Sequence, residues 1–249
     1  GFGPLLDGFL HVPANDLSAI NALGDALADV VAVLVEPIQG EGGVRPLDRH
    51  YLQGLRDLCE QNQWLLMFDE VQTGNGRCGS TYVCEQLEIK PDVLLTAKGL
   101  GNGLPIGVCM ARGEAAQLLG PGDHGSTYGG NPLCCAAAIA VLTTLFEDNV
   151  MQRATTVRDA LLSALHQHLS DPGLITEVRG RGLMIGIQPS VATKEIVQRG
   201  LESGLLINVA GGDTIRVLPP LVMTDEQAGE LGAGIANIIN DIAEQENAL

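Results

Sequence analysis

The sequence predicts an α/β protein built on an open sheet with parallel strands. Three observations predict it: apolar runs of strand length, apolar residues at helical spacing between them, and reactive polar residues where the runs end. The run 30–35 is unbroken and stops at Glu36-Pro37, the run 64–68 is closed by Asp69-Glu70, and the run from Pro91 is closed by Lys98 ahead of Gly99-Leu100-Gly101-Asn102-Gly103. Polar residues at the carboxyl ends of such strands line the crevice where open α/β sheets bind ligands. With 249 residues, 45% of them hydrophobic, the chain can bury a core for one or two domains.

Taken in order, Asn15 or Asp16 caps a short helix carrying Leu17, Ile20 and Leu23, and 30–35 follows as a strand buried on both faces. After a loop to Pro46, Asp48 caps a helix whose Leu52, Leu55 and Cys59 recur at three- and four-residue spacing, leading to the strand that ends at Asp69. Strand, helix, strand implies a right-handed parallel crossover. The next strand ends at Lys98, and 106–111 makes a fourth. Beyond the loop 125–132, the alanine-rich stretch 133–146 reads as a long buried helix. A second helix with Val157, Leu161, Leu165 and Leu169 follows Glu147-Asp148-Asn149.

The composition then shifts. From Ile175, short strands at 183–187 and 214–218 alternate with helices, and Thr224 with Gln227 forms a capping box for a last helix carrying Leu231, Ile235, Ile238 and Ile242. This places a domain boundary near 147, with 1–147 as one unit and 148–249 as a smaller one.

Thirty acidic against 14 basic residues give a formal charge of -16, which disfavours a broad electrostatic surface for nucleic acid or anionic membrane. No apolar run reaches the length of a membrane span. The six cysteines, at 59, 78, 84, 109, 134 and 135, form no Cys-x-x-Cys pair and have no histidine at metal-ligand spacing. Free thiols in the reducing cytoplasm are therefore expected, with no metal. His50, His124, His166 and His168 show no ligand spacing either. Gly180-Arg181-Gly182 precedes a strand rather than a helix and reads as a turn. Gly99, Gly101 and Gly103 miss the dinucleotide fingerprint. The chain begins at Gly1, without a basic leader or cleavage signal, and reads as an internal start.

Alone, Lys98 reads as a solvated lysine at a strand end. Asp69 changes that reading, because an acid and an amine then sit at the ends of two strands of one sheet. An acid under a pyridine ring and a lysine able to form a Schiff base are what pyridoxal phosphate chemistry asks of a protein. Four strings, Glu36-Pro37-Ile38-Gln39-Gly40-Glu41-Gly42-Gly43, Phe68-Asp69-Glu70-Val71-Gln72-Thr73-Gly74, Thr96-Ala97-Lys98 and Gly125-Ser126-Thr127-Tyr128-Gly129-Gly130-Asn131-Pro132, resemble those of class III aminotransferases in content and order.

The resemblance runs along the whole chain and implies the type I pyridoxal-phosphate fold: the later part of a large-domain sheet, with 106–111 antiparallel, and a small α/β C-terminal domain. A large N-terminal portion of the family pattern is absent, so this chain on its own is expected to be inactive. By resemblance, Lys98 carries pyridoxal 5'-phosphate and acts as general base, and Asp69 pairs with the ring nitrogen. Gln72 meets the phenolic oxygen, and Ser126 and Thr127 hold the phosphate, Thr127 reaching across to the other subunit of a homodimer with shared sites. Arg216 matches the carboxylate-binding arginine and Glu41 the glutamate that neutralises it, a fork geometry suited to carboxylates. A surface turn cap for Asp69, a solvated Gln72 and a plain surface ion pair for Glu41 and Arg216 stand as alternatives. The implied reaction is ping-pong transfer of the ω-amine of N-acetylornithine to 2-oxoglutarate, as in arginine biosynthesis. Succinylornithine, ornithine, 4-aminobutyrate or succinyldiaminopimelate are alternative donors. An aminomutase on the same scaffold, or an inactive piece that needs its N-terminal part, are alternative readings.

Overall fold

The computed structural model describes residues 3–27 and 29–248. Asp16 caps helix α1 (Leu17–Ala26) by accepting from the Ala19 amide at 3.0 Å, and the chain then enters β1 (Ala32–Val35). The following loop folds on itself through two-residue strands β2 (Ile38–Gln39) and β3 (Arg45–Pro46). Helix α2 (Arg49–Asn62) turns Leu52, Leu55 and Cys59 inward and ends on Gln63, whose left-handed conformation redirects the chain into β4 (Leu65–Asp69). The short α3 (Val83–Leu87), β5 (Val93–Thr96) and β6 (Val108–Ala111) complete this half.

These strands form a four-stranded sheet in the order β1-β4-β5-β6, with β1, β4 and β5 mutually parallel and β6 antiparallel to β5. The antiparallel direction expected for the fourth strand is what forms. Parallel pairing of β4 with β5 brings Asp69 opposite Leu95, so the acid and Lys98 leave the sheet at the same edge.

Asn131 accepts from the Cys134 amide at 3.0 Å to open α4 (Pro132–Glu147), and α5 (Val150–His168) follows. The second sheet contains β7 (Ile175–Arg181), β8 (Met184–Pro189), β9 (Asn208–Ala210) and β10 (Thr214–Val217). Its order is β7-β8-β10-β9, antiparallel throughout, with α6 (Ile196–Glu202) before β9. Helix α7 (Asp225–Asn247) starts in the capping box expected of Thr224 and Gln227. One core gathers Leu161, Leu165, Ile185, Ile187, Ile215, Ile235 and Ile239 between this sheet, α5 and α7. Gly232 sets how close the two helices come: a Cβ there would lie 2.2 Å from the Leu161 carbonyl oxygen. A second core gathers Ile38, Leu52, Leu55, Leu66 and Phe68 beside the first sheet and extends to Met184 of β8.

Several expectations need correction. The strand expected to end at Lys98 ends at Thr96, because Lys98 has φ 46°, outside the β region, and opens a 3₁₀ turn (Lys98–Gly101). The strand expected from residue 30 begins at Ala32 and is not buried on both faces. It lies at the sheet edge, and Leu34 is 52% exposed. The fourth strand begins at Val108 rather than 106. The stretch 133–146 is helical as expected, but it is not a buried helix. Cys134, Ala138 and Leu145 are covered, whereas Leu133, Ile139 and Phe146 are 69%, 65% and 61% exposed. Apolar content shows that a helix can be buried, and only its neighbours decide which face is. The six cysteines are free. Among the described residues no single helix is long and apolar enough to cross a membrane.

Candidate active site

The two carboxylates that close β4 serve different purposes. Glu70 is fully buried, and its oxygens accept from the Thr73 hydroxyl at 2.8 Å and from the Val83 and Cys84 amides at 2.7 and 2.8 Å. It thereby ties the turn after β4 to the start of α3. Burial pushes its carboxyl up from the ordinary glutamate range, and the two amide bonds pull in the opposite direction. Asp69 is only half-buried. One oxygen accepts from the Val71 amide at 2.9 Å, and no other hydrogen bond to this carboxylate exists among the described residues.

Lys98 is exposed, although Leu100 and Gly101 immediately after it are buried. Its left-handed backbone costs a residue with a Cβ on the order of 1–2 kcal/mol, and it is closed by the Leu100 amide donating to the Ala97 carbonyl at 3.0 Å.

Arg216 enters from the second sheet. Centrally placed on β10 and 9% exposed, it donates from Nη1 to Glu41 at 2.6 Å and to Gln72 at 3.2 Å. In the amide orientation that satisfies both groups, Asn208 on β9 accepts from Arg216 Nη2 at 2.9 Å and donates to the Arg216 carbonyl at 3.1 Å. Glu41 itself is 78% exposed at the tip of its loop. The bond from Arg216 is the main cause holding its carboxyl below the ordinary glutamate range. The Gln72 amide and the positive charge of Lys98 add to this, against some desolvation.

The loop carrying Glu41 is fastened to the second sheet through its backbone. Gly211 donates to the Glu41 carbonyl at 3.0 Å, and Arg179 donates to the Gly43 and Val44 carbonyls at 2.9 and 3.1 Å. Gly40 lets the Gln72 amide lie close against its backbone, since a Cβ there would come within 2.3 Å of the amide oxygen and displace that side-chain end. The structure thus joins Glu41, Gln72 and Arg216 through direct hydrogen bonds, while Asp69 and Lys98 follow the carboxyl ends of the neighbouring strands β4 and β5. It does not gather Ser126 and Thr127 with them. Both are exposed on the loop before α4, and Ser126 accepts from the Gly129 amide at 3.1 Å.

Sequence reading missed Asn75, Arg179 and Asn208. Gly74-Asn75-Gly76 carries the usual signal of a left-handed turn residue, and Asn75 indeed has φ 55°. The neighbouring Glu177 gives no hint of the role of Arg179, whose partners in the Glu41 loop lie 135 and 136 positions away.

The order β1-β4-β5-β6 with a second antiparallel sheet is that of the type I fold of pyridoxal-phosphate enzymes, and the similar solved structures are aminotransferases of that fold. An ornithine aminotransferase from Toxoplasma gondii matches with TM-score 0.89 at 36% identity over 98% of this chain and 59% of that one. An acetylornithine aminotransferase from Elizabethkingia anophelis matches with TM-score 0.85 at 34% identity, over 94% and 60%. The family model for class-III aminotransferases matches residues 1–239. The chain belongs to that family. Among curated relatives, acetylornithine aminotransferase 1 of Bordetella pertussis is 45% identical over 246 residues, covering 99% of this chain and 63% of that protein. Acetylornithine aminotransferase of Bacillus subtilis is 40% identical over 230 residues, covering 92% and 59%. The chain spans about three-fifths of the length of these relatives.

Proposed function

We propose that the protein to which this chain belongs is a pyridoxal-phosphate aminotransferase that moves the ω-amine of N-acetylornithine to 2-oxoglutarate. The observation that carries this reading is the buried Arg216 held by Glu41 and Gln72, on a chain whose Asp69 and Lys98 follow the paired ends of β4 and β5. The donor set suits the cofactor: a strand-end carboxylate with an oxygen to spare, an exposed amine beyond the next strand, and a glutamine amide lying close against Gly40.

When bound, pyridoxal phosphate withdraws electrons from the amine-bearing carbon of a substrate and carries the amino group between two substrates. Asp69 would hold the proton on the ring nitrogen. Lys98 Nζ would attach the cofactor and, once a substrate amine displaces it, take the proton from that amine-bearing carbon. Gln72 donates to Glu41 over a long 3.4 Å, a weak bond that leaves its amide able to turn toward the phenolic oxygen. Ser126 and Thr127 would bind phosphate, with Thr127 serving the partner subunit of a homodimer in the cytoplasm.

Arg216 would bind the α-carboxylate of glutamate when Glu41 releases it, and Glu41 would cover the guanidinium when the ω-amine donor occupies the site. One pocket could then serve two substrates of different charge. The acetylornithine aminotransferases among the relatives support the acylated donor. Ornithine is the second reading, supported by the solved ornithine aminotransferases.

Borohydride reduction of the holoenzyme followed by peptide mapping tests the assignment. Cofactor fixed on Lys98, together with loss of transamination in a folded Lys98→Ala variant, is the expected result. Cofactor found on any other lysine of the protein, Lys90 and Lys194 of this chain among them, would overturn it.

A further inference from the structure

Lys98 stands in a left-handed conformation that only its surroundings can maintain, and one side chain grips the two residues before it. Asn75, in the turn after β4, is 5% exposed. Its Nδ2 donates to the Thr96 hydroxyl at 2.9 Å and to the Ala97 carbonyl at 3.0 Å, the two residues before Lys98. Asn75 is fixed in turn, since its own amide donates to the Thr81 carbonyl at 2.7 Å and its backbone is left-handed, a conformation asparagine tolerates.

The other end of the amide makes no such contribution. Asn75 Oδ1 is buried without a hydrogen-bond partner. A buried acceptor left unpaired is unfavourable, so the residue suits this place for its two N–H groups. Both are directed at the strand end from which Lys98 departs. A serine or threonine could supply only one such donor.

We infer that Asn75 is a positioning residue for Lys98: its amide locks the Ala97 carbonyl, so that the turn opening at Lys98 projects the amine toward the crevice of Glu41 and Arg216. The inference rests on the reading of Lys98 as the cofactor lysine. Asn75→Gly is the informative variant, because glycine accepts the left-handed backbone and only the amide is lost. Asn75→Asp keeps the shape but turns a carboxylate oxygen toward the Ala97 carbonyl, and it serves if the glycine variant fails to fold.

The measurement uses the holoenzyme. It follows the rate at which pyridoxal phosphate becomes borohydride-fixed on Lys98, the pH midpoint of the bound cofactor's absorbance, and kcat and KM for the amino donor. The expected result is attachment at Lys98 slowed roughly tenfold, a similar fall in kcat with KM little changed, and a shifted absorbance midpoint. A lowered melting temperature with unchanged attachment rate and midpoint would make Asn75 a purely structural residue and overturn the inference. Wild-type protein that fixes the cofactor on another lysine would instead remove the reading beneath it. The two failures are told apart by the wild-type peptide map.

Discussion

Replacing Glu41 by alanine separates the two halves of the proposed reaction. The contact at stake is the 2.6 Å bond from Arg216 Nη1, in which the guanidinium is buried and the carboxylate is 78% exposed. A charge-assisted bond contributes about 1.5–3 kcal/mol when both partners are shielded. With one partner in water, about 1 kcal/mol is the better figure. Arg216 keeps its bonds to Gln72 and Asn208 in the variant and stays in place. The loop stays as well, because it is held by backbone carbonyls that alanine retains, including the Glu41 carbonyl itself.

Arg216 is then open to an incoming α-carboxylate in both half-reactions. The efficiency with glutamate should hold or rise, and the efficiency with the ω-amine donor should fall, so that their ratio shifts about fivefold. Single-turnover rates with glutamate and with N-acetylornithine measure that ratio in the holoenzyme. An equal loss with both donors would refute the argument and reduce Glu41 to a support for its loop. The pH dependence has a definite sign. A carboxyl held below the ordinary glutamate range contributes its pairing throughout neutral pH and loses it only as pH falls through the lowered value. Discrimination between donors should therefore be flat around neutrality and change only in acid.

Other outcomes concern the frame of the site. Glu70→Ala removes the acceptor for three donors, those of Thr73 and Val83 in buried bonds and that of Cys84 in a part-buried one, and its cost of about 2–3 kcal/mol should lower the melting temperature by roughly 5–10 °C. A change within 1–2 °C would show that water satisfies those groups equally well, on the same scale. Gly232→Ala should destabilise by at least about 1–3 kcal/mol in denaturant unfolding, since its Cβ meets backbone and not a movable side-chain end. An unchanged midpoint would mean that α5 and α7 can separate freely.

The sequence by itself announced most of the elements and the family. Helical spacing placed α2 and α5, Thr224 and Gln227 announced the start of α7, and the order of four short strings pointed to the family and singled out Asp69, Lys98 and Glu41, with Arg216 marked separately in 214–218. These signals are local, being set by the backbone's own periods and by residue types that only particular chemistry requires. Contacts between distant segments were not legible in this way. That Glu70 braces α3 while its neighbour Asp69 keeps an oxygen free depends on which face of β4 each occupies. That Arg216 meets Glu41 across 175 positions, and that Arg179 ties the same loop to the second sheet, depends on how the two sheets dock. The exposure of α4 was equally hidden, because an apolar helix records its capacity for burial and not the partner that provides it. Tertiary structure alone decided the left-handed departure of Lys98. A lysine has no intrinsic preference for that conformation, and the buried amide of Asn75 that supports it reaches the strand end only after β4 and β5 have paired side by side.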